Sequence, residues 1–155
     1  MTEKKQDPVR AFLGTVREAR VEEARCRRKL QEIDAQCRTV TASLNGMPHG
    51  GSGDPHKDSP WAALADQRRQ HEALLAAAVR QEMKVERFIA RMRTDSYRII
   101  LKLRYVDLLG WPRIQEQLEQ QSLNYSDRQI YRLHGEALQE ARQIWAELHR
   151  EETAS

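Results

Sequence analysis

Tyr125–Leu138 reads YSDRQIYRLHGEAL. Ser126 followed three residues later by Gln129 is a capping-box pattern, in which each side chain bonds the other residue's backbone amide. It predicts a helix that begins at Ser126. Along that helix Ile130, Leu133, Ala137, Leu138, Ala141, Ile144, Trp145 and Leu148 recur at helical spacing and form one apolar stripe. With the stripe turned inward, Asp127, Arg128, Tyr131 and Arg132 are expected on the exposed side near the helix start.

Two shorter helices are expected before it. Trp111–Pro112 opens one, with proline in the first turn, where its missing N–H costs nothing. Ile114 and Leu118 give this helix an inner face, and the polar run Glu119–Asn124 ends it. The other starts near Thr94–Asp95, either of which can cap it, and runs to about Leu109. Its apolar content is Ile99, Ile100, Leu101, Leu103 and Val106, and Gly110 is read as its stop. Three short helices, the last with a capped start, predict a helix-turn-helix domain over 94–150.

The N-terminal part has a different period. Val9, Phe12, Val16, Ala19, Glu23, Cys26, Leu30, Ile33, Cys37, Val40 and Leu44 alternate steps of three and four, a heptad seam interrupted at Glu23. Pro8 suits the first turn, and a helix over 8–44 would reach ~55 Å at the usual rise. Gly14 lies off the seam. Residues 45–59, rich in Gly, Pro, Ser and Asp, are read as a flexible linker. Ser59 then caps a helix from Pro60 to about Arg93. Trp61, Leu64, His71, Leu75, Ala78, Val85, Ile89 and Met92 mark its seam, and Leu74 and Phe88 widen it. The fold class expected is all-α: a long antiparallel, coiled-coil-like helical hairpin over 8–93, followed by the three-helix domain.

Composition narrows the function. No run approaches the ~18–20 apolar residues of a membrane span, and MTEKKQDP lacks an apolar signal region, so a cytoplasmic protein with no membrane partner is expected. Cys26 and Cys37 are too few for a disulfide framework, lack zinc spacing, and fall on the heptad seam as small buried hydrophobes. His49, Asp54, His56 and Asp58 would be poor metal ligands in a loop with no second shell. No nucleophile–base pair, phosphate loop or metal motif is found, so neither an enzyme nor a cofactor is expected. The net charge of +3 is unevenly spread: residues 94–155 carry eight Arg/Lys and ten Asp/Glu. Nucleic-acid binding by that part would rest on local arginines rather than on a broad field.

Those arginines are well placed for double-stranded DNA. A groove-inserted helix makes its base contacts from its first turns, and arginine can grip guanine through two hydrogen bonds. Ser126 and Gln129, with the backbone amides of a helix start, suit phosphate oxygens. Asp127 can accept from cytosine, Tyr131 either joins the DNA face or packs on the domain flank, and Arg104 and Arg113 can clamp phosphates. His134 is read as a boundary residue rather than a pH switch. Tyr97, Tyr105, Trp111 and Trp145 are read as core or subdomain contacts.

LKLRY (Leu101–Tyr105), GWPRIQEQL (Gly110–Leu118) and YSDRQIYRLHGEAL together resemble the sigma-factor region 4-like module of phage transcriptional regulators, and more closely the DUF1492 and RinA/ArpU-like group. The resemblance covers about Tyr97 to Ala141. It implies a sequence-specific DNA-binding regulator of phage genes in a bacterial host cell, with Ser126, Arg128, Gln129, Tyr131 and Arg132 on the DNA face. The chain departs from the pattern in its longer turn, EQQSLN, and in Gln115, where a small residue is common. The partners expected are double-stranded DNA, RNA polymerase or another transcription protein, and a second copy bound through the arm. Two other readings fit the same sequence: a small terminase subunit for DNA packaging, and a protein-interaction adaptor with a degenerate helix-turn-helix.

Overall fold

The computed structural model describes residues 6–44 and 59–155. The linker reading at 45–58, with the four candidate metal ligands in it, lies outside them. The described residues are all-α: α1 Pro8–Leu44, α2 Pro60–Ala90, α3 Asp95–Leu101, α4 Trp111–Gln120 and α5 Asp127–Ala154, with a π-helical stretch at Lys102–Val106. None of these helices is long and apolar enough to cross a membrane.

The described residues form two compact units, one of residues 6–18 with 81–155 and one of residues 19–44 with 59–80. In the smaller unit, Ala19, Cys26 and Ile33 of α1 and Leu64 and Ala78 of α2 are buried. The two segments run antiparallel there: Asp34 pairs with Arg68, Cys26 lies near His71, and Cys37 lies near Trp61. Leu74 and Trp61, both assigned to the α2 seam from the sequence, are 46% and 38% exposed. Between two helices only a narrow stripe of each is buried, and among the described residues these two side chains lie outside it. Burial raises the Cys26 thiol pKa, as does neighbouring Glu22.

The larger unit reaches beyond the expected 94–150. Its core joins Val9, Leu13 and Val16 of α1 and Val85, Phe88, Ile89 and Met92 around the end of α2 to Ile100, Leu101, Ile114, Leu118, Ile130, Ala137, Ala141 and Ile144. The first turns of α1 and the last of α2 thus add a substantial share of the apolar side chains to the core that the short helices and α5 begin. Leu13, off the predicted seam, is fully buried, because α1 meets this core with a stripe wider than a heptad edge. Phe12, Phe88 and Trp145 pack with centroids 5.0–5.9 Å apart. Asp7 ties the start of α1 to Arg142 at 2.8 Å. Burial pushes the Asp7 carboxyl up, but hydrogen bonds from Arg142 and the Val9 amide outweigh it and leave its pKa lowered.

The helix expected from 94–95 to Leu109 is shorter. Thr94 takes the N-cap position, but its hydroxyl donates to Glu140 at 3.2 Å rather than capping. After Leu101 the backbone widens to π geometry, with the Asp107 amide bonded to the Lys102 carbonyl at 2.9 Å. Leu108 then takes φ 56°, so the left-handed residue is Leu108 and not Gly110. Gly110 is extended and serves as the N-cap of α4.

Candidate nucleic-acid interface

The connection between α4 and α5 is closed by backbone bonds. The Leu123 amide donates to the Leu118 carbonyl at 2.8 Å and the Ser122 amide to the Glu119 carbonyl at 3.0 Å, with Ser122 at φ 63°. This is the Schellman arrangement, with serine in the place glycine usually takes. Leu123 packs against the core beside Leu118. Gln115 donates its side-chain amide to the Tyr125 carbonyl at 3.3 Å. It thereby stitches α4 to the longer turn.

The capping box forms as the sequence predicts. Ser126 Oγ accepts from the Gln129 amide at 3.3 Å, and Gln129 Oε1 accepts from the Ser126 amide at 2.8 Å. Both polar side chains are thus engaged by the helix start. Asp127 follows in the first turn, where a negative charge favours the helix dipole.

The apolar stripe of α5 faces the core: Ile130, Ala137, Leu138, Ala141 and Ile144 are at most 5% exposed, and Leu133, Trp145 and Leu148 are partly buried. Ser126, Asp127, Arg128, Gln129, Tyr131 and Arg132 are all exposed. A cleft lined by Trp111, Pro112, Gln115, Asp127, Ile130 and Tyr131 sets the openings of α4 and α5 side by side.

The four arginines differ in their engagement. Arg128 and Arg113 are exposed, and their side chains have no ion-pair partner among the described residues. Arg132 donates its Nε to Glu136 Oε1 at 3.0 Å while remaining 81% exposed. Arg104 is half-buried: it donates to the Leu109 carbonyl at 3.1 Å and its guanidinium lies 4.5 Å from the Trp111 ring centroid. That stacking braces the widened turn and makes Arg104 part of the domain's framework.

Trp111 is a hub. Its ring also meets Tyr131 at 5.0 Å and the edge of His134 at 4.9 Å. Tyr131 rests on this flank and is still 55% exposed. His134 is buried, with Nε2 3.0 Å from the Tyr105 hydroxyl. Burial, helped by the charges of Arg10 and Arg104, lowers its pKa to about 4. Burial raises the Tyr105 pKa.

The residue the sequence reading overlooked is Glu136. Its Oε1 holds Arg132 and its Oε2 accepts the Tyr97 hydroxyl at 3.0 Å, which raises the tyrosine's pKa. The signal was present: Arg132 and Glu136 stand four apart, the spacing of a helical ion pair. Glu136, Glu140 and Glu147 form one row on α5, accepting in turn from Tyr97, Thr94 and Arg93. Three of the ten acidic residues over 94–155 therefore tie α5 to its neighbours. No family model, curated protein or solved structure matches the chain.

Proposed function

We propose that the chain is a sequence-specific, double-stranded-DNA-binding transcription regulator of phage type that presents the opening turns of α5 to the major groove. The observation that carries this reading is the division of α5: a buried stripe from Ile130 to Ile144, and an exposed opening face of Asp127, Arg128, Gln129, Tyr131 and Arg132. The major groove admits one helix presented in this way. Arg128 and Arg132 supply guanidinium donors for base edges, and Arg113, exposed near the start of α4, reaches phosphate. Ser126 and Gln129 keep the helix start formed, and Arg104 supports the domain. A single helix reads only a few base pairs, so a second copy joined through the arm, or a transcription protein such as RNA polymerase, completes the site.

Selection of bound fragments from a random DNA pool at two salt concentrations tests the proposal. One enriched motif is expected, with affinity that falls as salt rises in proportion to the phosphates contacted. A pool left without enrichment at either salt overturns it. That result would favour the protein-adaptor reading, which the excess of acidic residues over 94–155 supports. A closed ring of many subunits would favour the packaging role.

A further inference from the structure

Arg132 is held in an unusual way for an exposed arginine. Its Nε–H donates to Glu136 Oε1 at 3.0 Å, and the other oxygen of that carboxylate accepts the Tyr97 hydroxyl at 3.0 Å. Tyr97 is on α3, so the support comes from a second helix packed on α5. The Arg132 side chain remains 81% exposed, and only its Nε is taken by the carboxylate. Its two terminal nitrogens have no partner among the described residues. An arginine fixed at Nε keeps the planar fork that matches the O6 and N7 acceptors of guanine, with fewer rotamers to lose on binding. Arg128, one turn earlier, has no such support.

We infer that Glu136, braced by Tyr97, is a positioning residue that aims Arg132 at a single guanine, making Arg132 a specificity-determining arginine of α5. This rests on the reading of α5 as the groove helix. The obvious electrostatic expectation has the opposite sign. An acidic side chain beside a polyanion repels it, so removing Glu136 should raise affinity for every duplex alike. A braced arginine predicts instead that removing Glu136 lowers discrimination at one base pair, while affinity for unrelated DNA holds or rises.

The test uses the full chain and the motif enriched from the random pool. Binding is measured on that motif and on each of its single-base-pair variants, for the wild type and for Glu136→Ala, Tyr97→Phe and Arg132→Ala. The wild type is expected to prefer one G·C pair by roughly tenfold. Glu136→Ala should cut that preference to about twofold without weakening binding to unrelated DNA, Tyr97→Phe should cut it partway, and Arg132→Ala should abolish it. Both supporting residues are partly exposed, so the folded state is expected to survive. Full discrimination by Glu136→Ala at every position, or an Arg132→Ala variant with an unchanged motif, overturns the inference and leaves the DNA reading standing. A pool with no enriched motif removes the DNA reading itself.

Discussion

Two non-glycine residues among the described ones occupy left-handed backbone, Ser122 at φ 63° and Leu108 at φ 56°, and glycine should stabilise at the first but not at the second. At Ser122 the bonds that close the turn are backbone bonds, which glycine keeps, and the side chain is exposed. Only conformational terms change. A non-glycine residue in this region costs roughly 1–2 kcal/mol, and the extra freedom of glycine in the unfolded chain returns about 0.4–1 kcal/mol of that. Ser122→Gly should therefore stabilise by about 0.5–1 kcal/mol. Leu108 gains the same relief but is partly buried, and losing half of a leucine's burial costs about 1–1.5 kcal/mol. Leu108→Gly should be neutral or less stable than wild type, about 1 kcal/mol below Ser122→Gly. The assay is urea unfolding in a Trp61→Phe background, so that fluorescence reports Trp111 and Trp145. At a slope of about 2 kcal/mol/M the two midpoints should differ by about 0.5 M. A Ser122→Gly midpoint at or below wild type, or a Leu108→Gly midpoint above that of Ser122→Gly, refutes the assignment of strain.

The buried side chains contributed from outside 94–150 make a second prediction. Val9, Leu13, Val16, Val85, Phe88, Ile89 and Met92 are each at most 5% exposed, and together are worth roughly 10–20 kcal/mol, more than a typical domain's net stability. A fragment of residues 94–155 should melt without a cooperative transition by circular dichroism, and a sharp melt would contradict this core. The two exposed arginines without an ion-pair partner among the described residues should separate in binding assays: Arg128→Ala should relax preference at particular bases, whereas Arg113→Ala should weaken all duplexes alike and reduce the salt slope by about one. His134 sets a pH dependence. Its folded pKa of about 4 lies below the ordinary 6.5, so between those values the unfolded chain binds more protons. Stability should fall by roughly 3 kcal/mol as pH drops from 6.5 through 4. The difference in urea midpoint between pH 7 and pH 4.5 should shrink in His134→Phe, and an unchanged difference would mean that other groups carry the acid sensitivity.

What the sequence made legible, and what it hid, follow from the range of the forces involved. The α5 stripe and the capping box are local, set by residues three or four apart, and both form where the spacing puts them. The same holds for Ser59, whose hydroxyl accepts from the Trp61 amide at 3.2 Å. The π-helical stretch is different. Nothing in KLRYV asks for a wider turn; within it Arg104 lies over Trp111, seven residues on and across a change of helix, a contact that local spacing does not reveal. Gly110 was misread as a stop for a related reason. A glycine after an apolar run suggests a left-handed cap, yet an earlier turn at Leu108 had already ended the run and left glycine to start the next helix. At the candidate interface, residue types were legible while their freedom was not. Four arginines look equivalent in the sequence, but one is stacked into the framework, one is braced by a carboxylate, and two are unengaged. That difference is tertiary, since it depends on Trp111 beneath Arg104 and on Tyr97 behind Glu136. It also changes what the acidity of 94–155 means. Charge counting treats Glu136, Glu140 and Glu147 as repulsion toward a polyanion, but each accepts a hydrogen bond from a residue at or before α3. The negative charge that argued against DNA binding is thus, at these three residues, part of what holds α5 against the rest of its unit.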